Sequence, residues 1–176
     1  MTAQNAIYVG HYAGFIWIRA EGKGSFLLSP ALKECAETLM SNDHPSLVVD
    51  LEACSGMDST FMGTLAGLAL SISKKFGGQL HVVAASERNQ RSLEDLGLDF
   101  LLKINEPEMP WSDQMEEARS SLRACESSRP AAIRTRAEHI LDAHRKLSGL
   151  SETNTRKFEG VLSVLQAELS RKPPGS

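Results

Sequence analysis

The chain has 176 residues, enough for one ordinary domain with a small appendage and enough to bury a core without disulfide or metal staples. It is 41% apolar and 23% charged, with 19 Lys and Arg against 22 Asp and Glu, a net charge of −3. That balance leaves no basic footprint for nucleic acid or an anionic membrane, and no run approaches the roughly 18 apolar residues of a membrane helix.

In chain order, Ala6-Ile7-Tyr8-Val9 and Phe15-Ile16-Trp17-Ile18-Arg19-Ala20 flank Gly10 to Gly14 and predict a β-hairpin. Ser29-Pro30 opens a helix whose apolar face is Leu32, Cys35, Ala36, Leu39 and Met40, and Asn42-Asp43-His44-Pro45 ends it. Leu47-Val48-Val49 is a short buried strand followed by Asp50-Leu51, and a loop holding Cys54 leads to Asp58-Ser59-Thr60. A long apolar helix then runs from about Phe61 to Phe76, with Gly63 and Gly67 spaced for close approach of another backbone and Gly77-Gly78 as its stop. Leu80 to Ala84 is a strand, Arg88 to Leu96 a short helix ended by Gly97, and Phe100-Leu101-Leu102 a last strand. This order predicts an α/β fold, a mixed β-sheet with packed helices.

Texture changes after residue 104. Glu106-Pro107-Glu108-Met109-Pro110 reads as a linker over 105–112, and residues 113–176 carry helical periodicity with no strand signal. A helix is expected from about Ser112 to Glu126, a break over Ser127 to Pro130, and a second helix from about Ala131 to Leu147. The stripe of the second is Ile133, Ala137, Ile140, Leu141, His144 and Leu147. Ser151 is a good N-cap for a final helix striped by Phe158, Val161, Leu162, Leu165 and Leu169. Two facing stripes joined by a short turn describe a C-terminal helical extension, a hairpin of helices, either bracing the domain or serving as a homodimer or partner contact. Lys172 to Ser176 is expected to fray.

Candidate chemistry is sparse. His11, His44 and His81 are solitary, and His139 and His144 are five apart, off a common helical face, so no metal site is expected. Gly22-Lys23-Gly24 lacks the third glycine of a phosphate cradle, and no Gly-x-Ser-x-Gly is present. Neither cofactor nor catalysis is expected. The opening residues have no basic or long apolar export segment, and three cysteines without CxxC spacing suit a reducing compartment, so the expectation is a cytoplasmic protein. Asp58-Ser59-Thr60 at the start of an apolar helix stands out. Plain capping by Asp58 or Ser59 is one account of it, and a functional hydroxyl is the other.

The segment from Val48-Val49-Asp50-Leu51 through Met57-Asp58-Ser59-Thr60 resembles the signature of STAS domains, the family of bacterial anti-sigma-factor antagonists. The resemblance extends over residues 1–104, including Gly77-Gly78 before a strand and Leu93-Glu94-Asp95-Leu96-Gly97-Leu98 at a helix end. The chain differs from many members at Phe61, where they carry Gly, and at Ser25, where antagonists often carry an acidic residue.

The resemblance implies a protein-binding module without catalysis of its own, acting in transcription regulation. Its partners would be an anti-sigma factor that is also a serine kinase, and a separate phosphatase. Phosphorylation would fall on Ser59, with Thr60 as the second choice and Asp58 supporting the phosphosite. Ser25, Phe26, Met57, Phe61 and Met62 would form the partner-binding rim. An unphosphorylated scaffold module is the alternative within the family. A small-molecule sensor or hydrolase using Cys54 and Ser59 is the rival outside it, and it lacks a general base in the motif.

Overall fold

Ala13 and Gly14 both take positive φ, 51° and 83°, and this two-residue turn joins strand β1 (Ala6–Tyr12) to strand β2 (Phe15–Gly24). Paired positive φ values belong to the primed turns whose twist matches that of the strands, so register is set from the turn outward, with Tyr12 opposite Phe15 and Ile7 opposite Ala20. The computed structural model describes residues 4–125 and 133–171. The expected break at 127–130, the helix start at Ala131, the side chain of Ile133 and the tail from Lys172 lie outside the described residues.

Helix α1 (Ser29–Leu39) follows with Pro30 in its first turn, then strands β3 (Leu47–Asp50) and β4 (Cys54–Met57). Helix α2 (Ser59–Phe76) ends at Gly77 in the left-handed conformation, φ 66°. Strand β5 (Leu80–Val83), helix α3 (Glu87–Asp95) and strand β6 (Lys103–Ile104) complete the expected alternation. The sheet runs β6-β5-β3-β2-β1, with β3, β5 and β6 parallel to β2, and β1 antiparallel to it.

Alternation along β2 sends Ile16, Ile18 and Ala20 into the main core with Leu32 and Ala36 of α1 and Phe61, Leu65 and Ile72 of α2. Trp17 points to the other face. Two elements differ from expectation. Residues 54–57, expected as loop, form β4 because they continue along the far end of β2, and they bury Cys54. Phe100-Leu101-Leu102 is not a strand: Leu98–Phe100 is a 3-10 turn after left-handed Gly97, and pairing starts at Lys103.

Residues 105–112, expected as a linker, carry Trp111 onto the second face of the sheet, where it is 2% exposed. Its ring meets Phe15, Trp17 and His81 edge-on, at 4.8, 6.0 and 5.2 Å between centroids. The helix expected over 112–126 is only α4 (Met115–Ser120), and a two-residue strand β7 (Arg123–Ala124) then pairs antiparallel with the free edge of β1. That edge offers unpaired backbone groups, a stronger demand than the helical periodicity. Beyond it, Cys125 is joined to Cys35 of α1 in a disulfide, with Cα atoms 6.6 Å apart, a pairing the reading of the three cysteines as suited to a reducing compartment did not foresee.

Helices α5 (Ile133–Ser148) and α6 (Glu152–Ser170) form the expected hairpin, and Ser151 caps α6 by accepting from Asn154 N at 3.1 Å. Gly63 lies against the backbone of Ala143, so close that a Cβ there would overlap the Ala143 carbonyl. The hairpin therefore docks through α5 onto α2.

One buried charge ties three elements together. Asp50, at the end of β3 and fully buried, accepts from Arg119 Nε of α4 at 2.7 Å and from Arg19 Nη1 of β2 at 3.3 Å. Removing the carboxylate would leave two largely buried guanidinium groups with only the more exposed Glu52, Glu21 and Glu116 as partners. Asp50→Ala is expected to cost about 3 kcal/mol, read as a lower urea midpoint with unchanged slope.

Candidate functional site

Asp58 stands between β4 and α2 in extended conformation, and its carboxylate serves two masters. Oδ1 accepts from Phe61 N at 2.9 Å, the N-cap bond expected of it, and Oδ2 accepts from Phe26 N at 2.7 Å in the loop before α1. Its own N–H donates to Gly24 O at 2.8 Å. The cap therefore holds Ser59 at the first position of α2 and fixes the 25–28 loop beside it. Ser59 is half-buried, at the positive end of an 18-residue helix.

The hydroxyl of Ser59 is not free. Ser59 Oγ lies 2.9 Å from His144 Nε2 of α5. His144 Nδ1 is 2.8 Å from Ile140 O, an acceptor only, so the ring proton is on Nδ1 and Nε2 accepts from the serine. One turn on, Thr64 Oγ1 donates to Thr60 O at 2.8 Å and accepts from His139 Nε2 at 3.3 Å. Ser59 and Thr64 are five apart and so are the two histidines, in reversed order, because α5 crosses α2 antiparallel.

Sequence reasoning missed this pairing. His144 sat in the apolar stripe of α5, which was the available signal: a histidine inside a buried stripe needs a partner for its ring nitrogens. It is 4% exposed and packs edge-on against Phe158 of α6, centroids 5.4 Å apart. Ser59 also opens onto a shallow pocket of about 320 Å³ bounded by Met62, Asp95, Lys157 and Phe158.

The expected rim residues separate into two groups. Phe26 is exposed and Met57 half-buried, both beside the Asp58 cap. Ser25, Met62 and Phe61 are buried, Phe61 completely, with its ring against Gly24, where an added Cβ would lie 3.0 Å from it. A core side chain offers no rim surface, so Phe61 fills the space that the small Gly24 leaves. Thr60 is also buried. Cys54 is buried, and burial pushes its thiol pKa up while the Gly56 and Gly24 backbone opposes. The His81 ring is on the Trp111 face, remote from Ser59 in the sheet's layering.

Residues 7–108 match the STAS domain, more than half of the chain, and the protein belongs to that family. Solved structures with the same fold include a candidate anti-sigma factor antagonist from Thermotoga maritima, 21% identical, TM-score 0.52, covering 63% of this chain and 92% of that one. An anti-sigma factor antagonist from Mycobacterium paratuberculosis is 21% identical, TM-score 0.51, covering 66% of this chain and 95% of the other. No curated protein sequence matches the chain. Among the described residues no helix is long and apolar enough to cross a membrane.

Two outcomes follow from the geometry. Asp58→Ala loses the cap and releases Phe26 N, and is expected to cost about 1–2 kcal/mol in chemical denaturation. Burial pushes the His139 pKa down, Lys33 acting the same way and Asp142 against it. Burial also lowers His81, with Glu106 opposing and Lys103 adding to the shift. A histidine held below its ordinary value binds its proton more readily in the unfolded chain. Its stabilisation is then complete above about pH 6.5 and is lost as pH falls through the folded value. The thermal midpoint is expected to drop between about pH 7.5 and 5.5, and His139→Gln to shrink that drop.

Proposed function

We propose that this STAS protein is an anti-sigma-factor antagonist of the bacterial cytoplasm, switched by phosphorylation of Ser59. The observation that carries the reading is the position of Ser59, first in α2 behind the Asp58 cap, beside exposed Phe26. Unphosphorylated, the module binds an anti-sigma factor that is also a serine kinase. The kinase transfers the γ-phosphoryl of ATP to Ser59 Oγ, releasing ADP and taking up the hydroxyl proton, and a separate phosphatase resets the switch.

A phosphoryl group adds about −1.5 to −2 charge. Within the domain, the free N–H groups of the first turn and the helix dipole accommodate it. In a docked interface over Phe26 and Met57, the same charge beside Asp58 would lie unpaired and desolvated. Such burial costs several kcal/mol, and about 4 kcal/mol shifts binding roughly a thousandfold. The buried Ser25, Phe61 and Met62 shape this rim from behind. Asp58 supports the site by holding both its loops, and Thr60 is the lesser acceptor because it is buried.

A second reading draws on the Ser59–His144 pair, a nucleophile with a base. His144 Nδ1, however, is held by a neutral backbone carbonyl rather than a carboxylate, which leaves the base weakly supported. Release of nitrophenol from an activated ester, abolished in both Ser59→Ala and His144→Ala, would favour hydrolysis.

The deciding experiment is a pull-down with wild type, Ser59→Ala and Ser59→Asp, with phosphosite mapping from cells. Capture of one ATP-binding kinase by wild type and Ser59→Ala, its loss with Ser59→Asp, and phosphate on Ser59 are the expected results. Equal capture by all three, with Ser59 unmodified, would make the protein a constitutive scaffold.

A further inference from the structure

The reading of Ser59 as a switch meets an obstacle within the molecule itself. A kinase must bring a phosphoryl group in line with Ser59 Oγ, yet that oxygen is already engaged by His144, 2.9 Å away, with Phe158 packed behind the imidazole. The α5–α6 hairpin that supplies both residues lies outside the STAS match at 7–108. The sheet, helices α1 to α4 and the Trp111 face are all built from residues that precede it in the chain.

The docking of the hairpin has the character of a removable layer. Of its described residues only Leu147 and Phe158 enter the main core fully buried. Leu141 and Ala143 are buried as well, Leu150 packs against that core, and a few polar ties add to these apolar contacts. His144 bonds Ser59, His139 bonds Thr64, and Asn154 Nδ2 donates to Leu96 O at 2.9 Å and Leu147 O at 3.0 Å. The Lys33–Asp142 pair is exposed and 4.0 Å apart, and such pairs contribute little. On α6, Val161 and Val164 remain exposed.

We infer that the α5–α6 hairpin is an autoinhibitory cover: docked, it shields Ser59 and the adjoining face of α2, and displaced, it opens both to kinase and partner. The inference rests on the Ser59 reading, but cover and switch are separable. His144 holds the hydroxyl proton and, with Phe158 behind it, crowds the approach to Ser59, and Ala143 occupies the groove over Gly63. A partner seated on α2 would have to replace those contacts, so binding is coupled to hairpin release, and the hairpin's docking free energy is subtracted from the partner's affinity.

Gly63 supplies the lever. Gly63→Ala puts a methyl group into the Ala143 carbonyl, a clash with α5 alone, and so wedges α5 away from α2. Asn154→Ala cuts the tie to Leu96 by an independent route. The test uses the full chain carrying Ser59→Cys, alone and combined with either substitution. N-ethylmaleimide labelling at position 59 is followed by mass spectrometry, and amide exchange of β1 to β5 serves as the folding control.

Labelling about tenfold faster in both combined variants, the factor given by about 1.4 kcal/mol of lost docking, is expected with sheet protection retained. Equal labelling rates in all three proteins would overturn the cover. So would acceleration that appears only together with loss of sheet protection in both. If Gly63→Ala alone unfolds the sheet, Asn154→Ala decides. Absence of phosphate on Ser59 in cells would remove the switch and leave the labelling result standing, so the two ideas fail separately.

Discussion

The Asp58 carboxylate is the constraint on which the site depends. Helix α2 begins with free N–H groups, and one acceptor at its N-cap both starts the helix and decides which residue comes first. Because the second oxygen holds Phe26 N, the same group binds the loop after β2 to the turn after β4. Strand β2 and helix α2 are thus fastened at one point, and Ser59 is presented at the seam with both its neighbours immobilised. Asp is among the residues most favoured at an N-cap, and here the same carboxylate takes the second donor as well.

The rest of the molecule protects that seam by layering. The sheet is hydrophobic on both faces, and each needs a cover. Helices α1 and α2 cover one, while the chain after β6 folds back to cover the other with Trp111 and α4. Buried Asp50, gripped by Arg19 and Arg119, locks that return segment to the sheet. The hairpin is a third layer laid on α2; it sends Leu147 and Phe158 into the main core and adds the His144–Ser59 and His139–Thr64 bonds.

Much of this was legible in the residues. Period-two and helical spacing gave the order of elements, Ser151 the start of α6, and Gly63 the close crossing, because each rests on local chemistry. The failures share a cause. The strand at 123–124 exists to satisfy the backbone of β1 at Tyr8 and Val9, far earlier in the chain, and no local pattern encodes that demand. Trp111 looked like part of a linker because its prolines are a local signal and its aromatic partners are distant. Phe61 read as a surface anchor because its burial depends on Gly24. Similarly, two histidines off a common face of α5 both reach α2, since crossing helices present more than one stripe to each other.

The aromatic cluster on the second face has a practical corollary. The chain has two tryptophans, Trp17 and Trp111, and their rings sit 6.0 Å apart, nearly perpendicular. Indole emission and the indole bands of the near-ultraviolet dichroism therefore come from a single locus on the side of the sheet opposite α2. Those optical signals track closure of the return segment over β2, β3 and β5 and are blind to the α5–α6 hairpin. A spectroscopist watching only tryptophan would see one well-behaved cooperative protein while its outer helices came and went unrecorded.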